Sequence, residues 1–201
     1  MAECESEYNT PILLLRKSGG KEYRLVQDLR AITPIVQDIQ PVAANPYTLL
    51  TSLKEEHNCF TVLDLKDAFF AFEWESPATG RKTQLARTVL PQGFKNSPTI
   101  FGNQLAKELE IWKKRNQEKG TLLQYVDDIL IAAESKEKCF EITVSLLNFL
   151  GQGGYRVSRN KAQTGKEAVI YLGFEISQGQ RQLGSERKEA ICRNQVGKLK
   201  E

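Results

Sequence analysis

One histidine, His57, is all that the 201 residues contain. A reaction that needs an imidazole base must use His57 or do without. The four cysteines, Cys4, Cys59, Cys139 and Cys192, lie far apart and form no C-x-x-C pair. That spacing argues against a structural zinc site and against a disulfide framework. No window approaches the roughly eighteen uninterrupted apolar residues of a membrane helix. Met1 to Tyr8 is acidic and lacks the basic-then-apolar order of a secretory signal. These absences point to an intracellular, cytoplasmic protein with no membrane segment. Internal repeats and low-complexity tracts are absent too, which excludes solenoids and disordered arrays.

With 40% hydrophobic and 26% charged residues, the composition is that of a folded chain. Its length allows one ordinary domain or two small ones. The net charge is +3, unevenly placed: from Gly151 onward there are ten basic residues against five acidic. Such a stretch attracts a phosphate backbone or simply solvates a surface.

Along the chain, Ile12–Arg16 and Tyr23–Leu29 are β-prone runs around Ser18-Gly19-Gly20, a hairpin signature. Pro34, Pro41 and Pro46 punctuate a loop-rich stretch. Phe60–Leu65 reads as a buried strand. Ser97-Pro98 starts a helix, with Phe101, Leu105, Leu109 and Trp112 on one face and Gly120 as a stop. A second helix is expected over Ser135–Leu150, with Phe140, Val144 and Leu147 on one face. Val169–Ile176 reads as a strand, followed by a glycine turn at Gly179. Strands interleaved with two amphipathic helices suggest an α+β fold, a sheet with helices on one face.

The chemistry concentrates in Leu122–Ala133, where Asp127-Asp128 separates two apolar runs. Neighbours in a regular strand point to opposite faces. Both carboxylates can work together only where the chain turns, so the pattern predicts a tight hairpin with the pair at its tip. Asp-Asp alone is also a common turn former. A third carboxylate, Asp64, ends the run Thr61-Val62-Leu63. If the two segments are sheet neighbours, Asp64 and Asp127 converge. Carboxylates suit hard divalent cations, and paired cations serve phosphoryl transfer without a histidine.

The segments NTPILLLRK, YRLVQDLR, NPYTLL, TVLDLKDAFF, AFEW, LPQGFKNSPTIF, LLQYVDDILIAA and YLGF follow one another between about Asn9 and Lys188. In that order they resemble retroviral reverse transcriptases, those of gammaretroviruses and endogenous retroviruses especially. The resemblance implies a polymerase palm sheet with helices on one face, plus a partial fingers region. It divides the chain into a divergent tail (1–8), partial fingers (9–50), palm with fingers elements (51–188) and a basic tail that starts a thumb (189–201). It implies RNA- and DNA-directed DNA synthesis on a template with a primer, using deoxynucleoside triphosphates and two divalent cations, Mg2+ or Mn2+. Asp64, Asp127 and Asp128 would hold the metals. Tyr125 and Val126 would lie beside primer terminus and nucleotide. Phe69 would be the aromatic gate against a ribose 2′-hydroxyl. Lys17 and Arg24 would grip the triphosphate, and Gln92 would touch the nucleotide, with Gly93 allowing close backbone approach. Tyr171, Leu172 and Gly173 would form the primer grip, and Lys161 would add a phosphate contact. Asp28 and Arg30 would be a structural pair.

Three departures from the family pattern bear on turnover. Phe70 runs directly into Ala71, where the family has a further strand and turn. The chain is expected to open mid-fingers and to close where a thumb begins. No second carboxylate constellation suggests a ribonuclease H site. Two other readings therefore stay open: a polymerase-derived chain that binds nucleic acid without turnover, and an interaction protein with no nucleic-acid role.

Overall fold

Runs of aliphatic and β-branched residues form the strands, and the amphipathic stretches between them form helices. In the computed structural model, residues 2–3, 11–16, 23–39, 45–66, 74–75, 82–83, 85–86, 90, 93–116 and 120–198 are described. In chain order the elements are β1 (Ala2–Glu3), β2 (Ile12–Arg16), β3 (Tyr23–Gln27), α1 (Pro46–Leu50), β4 (Cys59–Lys66), β5 (Trp74–Glu75), β6 (Lys82–Thr83) and β7 (Leu85–Ala86). They continue with α2 (Ser97–Arg115), β8 (Thr121–Tyr125), β9 (Asp128–Ala133), α3 (Lys136–Gln152), β10 (Arg156–Val157), β11 (Gln163–Lys166), β12 (Val169–Tyr171), β13 (Phe174–Ser177), β14 (Gln180–Leu183) and α4 (Ser185–Lys198). Two compact units result, Met1–Val42 with Asp67–Asn103 and Ala43–Lys66 with Gln104–Glu201. Each unit uses two stretches of chain, so the units interleave where the sequence-based segments are contiguous.

In the first unit, β2 and β3 form the expected antiparallel hairpin, with Ile12 opposite Gln27 and Arg16 opposite Tyr23. Leu13, Leu14 and Leu15 are all exposed on it. Further along, the Asn96 side chain takes the Ile39 N–H and donates to the Gln37 carbonyl.

The second unit is built on an antiparallel sheet of order β10-β4-β9-β8, with β11 also paired to β4. Alternation along β4 sorts its side chains between two faces. Phe60 and Val62 join Leu130, Ala132, Val169, Tyr171, Phe174 and Ile176 in one buried cluster, closed by Leu50 of α1 and Leu53 just after it. That face carries the three-stranded sheet β12-β13-β14. Thr61 points the other way, to Cys139 and Thr143 of α3. Helix α2 lies beside α3, where the Trp112 indole donates to Ser145 at 3.2 Å. Ile129, Leu130 and Ile131 are fully buried, and each such side chain contributes about 1.5–3 kcal/mol of burial energy.

Local expectations fare unevenly. Ser135 caps α3, accepting from the Lys138 N–H. The face of α3 that packs inward, however, carries Cys139, Ile142, Thr143, Leu146 and Leu150, while Phe140, Val144 and Leu147 face outward. Both stripes have helical spacing, and only the sheet decides between them. Helix α2 buries Leu105, Leu109 and Trp112 as expected. It ends at Arg115, before Gly120. Gly120, at φ 154°, instead opens β8, where a Cβ would stand 2.7 Å from the Ala132 carbonyl. The expected single strand Val169–Ile176 is a hairpin, broken at Leu172-Gly173 by φ values of 52° and 78°.

Candidate active site

Three backbone pairings bring the carboxylates together. Strands β8 and β9 form a hairpin closed by the pair Tyr125 and Asp128, which leaves Val126 and Asp127 as a two-residue turn. Of these two only Val126 has positive φ, at 53°. That is the II′ pattern, which glycine favours, so a β-branched residue here holds strain at the carboxylate tip. Strand β9 pairs with β4, setting Asp128 directly opposite Asp64. Directly opposite residues share a face, with Cβ atoms roughly 4.5–5.5 Å apart. Asp127 joins them from the turn, where its carbonyl accepts the Leu65 N–H at 3.1 Å.

This arrangement concentrates negative charge in a half-buried place. Burial raises the Asp128 carboxyl, helped by the charges of Asp127 and Asp64, to about 6. Asp127 is also raised, chiefly by burial and further by Asp64. Like charges directly opposite destabilise a sheet pair, so the fold tolerates a cost here.

Lys161 partly offsets it. Its Nζ lies 2.9 Å from Asp64 Oδ2, and its charge opposes the upward shift at Asp127 and Asp128. The segment that carries it is fastened to the same strand, because the Ser158 N–H donates to the Asp64 carbonyl at 2.8 Å. Lys161 and Ala162 then fold back on the Ser158 carbonyl. Sequence reasoning gave Lys161 a phosphate contact. Its place beside Asp64 depends on β10 and β11 pairing with β4, which no local motif announces.

The other expected site residues divide sharply. Lys17, Phe69 and Gln92 lie outside the described residues, as does the Phe70–Ala71 junction. Arg24 is placed in β3 opposite Leu15 by its backbone. The Asp28 carboxylate forms the expected fork with Arg30, and that contact holds it at about 2. Tyr125 packs against the buried cluster. Tyr171 is 1% exposed, and its hydroxyl donates to the Asp128 carbonyl at 3.3 Å. Leu172 and Gly173 form the turn beyond it.

An all-oxygen set of three carboxylates suits a hard divalent cation, whose charge would offset the burial and crowding that raise Asp127 and Asp128. Among the described residues, no three His, Cys, Asp or Glu side chains already stand in metal-holding geometry. Asp64 is engaged by Lys161 in this arrangement.

Residues 15–176 match the family model described as reverse transcriptase (RNA-dependent DNA polymerase). The chain belongs to the reverse transcriptase family. It is 48% identical over 200 residues to the Gag-Pol polyprotein of Feline leukemia virus, covering 94% of this chain and 12% of that one. To the Gag-Pol polyprotein of Baboon endogenous virus (strain M7) it is 47% identical over 202 residues, with the same coverage. The chain thus spans about an eighth of the polyproteins it matches. Among solved structures, a foamy viral protease-reverse transcriptase in complex with double-stranded DNA superposes with a TM-score of 0.76. That match has 30% identity and covers 94% of this chain and 33% of the other. A foamy viral protease-reverse transcriptase in complex with an RNA/DNA hybrid gives 0.72 at 29% identity, over 94% of this chain and 25% of that one. The α+β architecture read from the sequence is therefore that of a reverse transcriptase, and its relatives are retroviral Pol proteins.

Proposed function

We propose that this chain carries the nucleotidyl-transfer centre of an RNA- and DNA-directed DNA polymerase. The observation that supports it most is the register Asp64 opposite Asp128, with Asp127 in the adjoining turn. Asp64, Asp127 and Asp128 would hold two divalent cations, Mg2+ or Mn2+. When bound, those cations would activate the attacking primer hydroxyl and neutralise the charge on the leaving pyrophosphate. The chain's own contribution is placement. The rigid β4–β9 pair fixes Asp64 and Asp128, and the Val126-Asp127 turn aims the third carboxylate.

Around this centre, Tyr125 and Val126 border the primer terminus and the incoming nucleotide. Phe69, Gln92, Lys17 and Arg24 supply the rest of the nucleotide site, and the Leu172-Gly173 turn after Tyr171 meets the primer. The second compact unit acts as the palm and the first as fingers. Partners are an RNA or DNA template with its primer and deoxynucleoside triphosphates. The relatives solved with double-stranded DNA and with an RNA/DNA hybrid support that choice. Among the described residues no helix is long and apolar enough to cross a membrane, and the cytoplasm is the proposed place of action.

The test is primer extension on an RNA template with Mg2+ or Mn2+ and deoxynucleotides. An Asp127→Asn/Asp128→Asn variant run beside it excludes a contaminating polymerase. Extension by the chain and none by the variant is expected. Folded chain that extends nothing in either metal overturns the assignment for this chain.

A further inference from the structure

The Leu172-Gly173 turn is held from two sides, by Tyr171 of the YLGF segment and by Gly184 and Arg187, which lie outside the quoted motifs. Below it, the Tyr171 ring is buried in the cluster that also holds Leu130, Phe174 and Ile176. Its hydroxyl reaches across to the Asp128 carbonyl at 3.3 Å, which is the backbone of the carboxylate strand itself. Above it, Gly184 N–H donates to the Gly173 carbonyl at 3.0 Å. Arg187 Nη1 donates to the Leu172 carbonyl at 3.2 Å, with its guanidinium 5.5 Å over the Phe174 ring. The fit is close: a Cβ on Gly173 would stand 3.1 Å from Arg187 Nη1.

Neither contact is needed to close the hairpin. Strands β12 and β13 already pair at Tyr171 and Phe174. Two central residues with positive φ form an I′ turn, which needs no outside support. Leucine is nevertheless strained at φ 52°, and such a conformation persists where surrounding contacts over-determine it. Both carbonyls of the turn are taken up, by Arg187 and by Gly184, and Tyr171 joins the base of the turn to the carboxylate hairpin.

We infer that Tyr171 and Arg187 are positioning residues that couple the Leu172-Gly173 turn to the Asp127-Asp128 hairpin. This inference rests on the polymerase reading for its functional meaning, and on the hydrogen bonds alone for the coupling. A turn that meets the primer end is useful only if it keeps a fixed distance from the carboxylates. Misplacement on the order of 1 Å costs about a hundredfold in rate. The Tyr171 side chain is buried and points at Asp128, so the primer-facing part of the turn is the Leu172 and Gly173 backbone.

The experiment compares the full chain with Tyr171→Phe, which keeps the ring and loses the hydroxyl, and with Arg187→Met, which keeps the stem and loses the fork. Hydrogen exchange followed by mass spectrometry is read on the free protein. Tyr171→Phe is expected to speed exchange at least fivefold in the peptide spanning residues 124–129, and Arg187→Met in the peptide spanning 171–174. Exchange in α3 and the melting transition should stay close to those of the parent chain. In primer extension at saturating primer–template, kcat is expected to fall five- to twentyfold, with nucleotide KM within about twofold. A merely structural role would instead speed exchange throughout the second unit and lower the melting transition. Unchanged exchange in both peptides overturns the coupling, as does exchange raised equally in α3. If the parent chain extends no primer, the polymerase reading fails, and the exchange comparison still decides the coupling by itself.

Discussion

Replacing Thr61 by valine removes one buried hydroxyl and almost no volume, so the loss isolates a hydrogen-bond network three residues from Asp64. Thr61 is 1% exposed. The Thr143 hydroxyl lies 2.7 Å from the Cys139 carbonyl and 3.1 Å from Thr61 Oγ1. It has one proton, and the shorter contact takes it. Thr61 therefore donates to Thr143 and accepts the Gly165 N–H at 3.0 Å. Its oxygen is also 3.4 Å from Cys139 Sγ, which has its own proton to give. Valine leaves the part-buried Gly165 N–H without an acceptor, at about 1–3 kcal/mol where water does not replace it. Valine's stronger preference for strands offsets only a few tenths of that. The expected loss is about 2 kcal/mol, or a Tm lower by ~4–8 °C for a chain of this size. Urea unfolding followed by tryptophan fluorescence gives the free energy. Exchange of the peptide covering 163–166 locates the effect, and Thr61→Ser should retain its protection. Because β11 follows directly on Lys161, loosening it should also weaken the Lys161–Asp64 contact. A loss below ~0.5 kcal/mol with exchange at 163–166 unchanged would refute the hydrogen bond from Gly165 N–H to Thr61.

Asp128 holds its proton more tightly when folded, at about 6 against 3.8 for the free side chain. Its contribution to stability therefore falls as pH rises from about 4 to about 6 and stays low above that. His57 works in the opposite sense, since burial lowers it below 6.5, so the informative quantity is a difference. Asp128→Asn should melt higher than the parent at pH 7.5, with the gap closing by pH 4.5; an equal gap at both would contradict the raised carboxyl. Val126→Gly relieves about 1–2 kcal/mol of left-handed strain against about 0.4–1 kcal/mol of added chain freedom and a half-buried side chain lost. Stability within ~1 kcal/mol of the parent is expected by denaturant titration, and a loss beyond ~2 kcal/mol would show that the turn is unstrained. Gly165→Ala puts a Cβ 2.7 Å from the Phe140 ring at φ 60°. A loss of about 1–2 kcal/mol is expected. Adding Phe140→Ala should recover the steric part, and a double-variant melt that recovers nothing would assign the whole cost to the backbone.

Much of the chemistry was legible in the order of the residues. A run of apolar residues ending in Asp64, and a pair of carboxylates between two more such runs, already require a strand and a hairpin tip. The β2–β3 hairpin, the buried β4 strand and the capped start of α3 were local consequences of turn residues, periodicity and a serine. What local pattern could not decide was which of two equivalent stripes faces inward. On α3, Phe140, Val144 and Leu147 are as well spaced as Cys139, Ile142, Thr143 and Leu146, and larger, yet they lie outside. The sheet beneath offers Thr61, a small polar partner that Cys139 and Thr143 of the narrower stripe fit.

Positions that depend on strand pairing were equally hidden. Lys161 stands 97 residues from Asp64, and Arg187 is 15 residues from the carbonyl it holds. Neither separation has a period or motif to betray it. Sequence by itself determined which groups carry charge and where the chain must turn, and left the convergence of the carboxylates conditional on their segments being sheet neighbours. Tertiary structure alone decided the register that sets Asp64 opposite Asp128, the lysine beside them, and the tyrosine beneath. The physical reason is that side-chain chemistry and local propensity act over a few residues, whereas register and contact are fixed by burying two sheet faces at once.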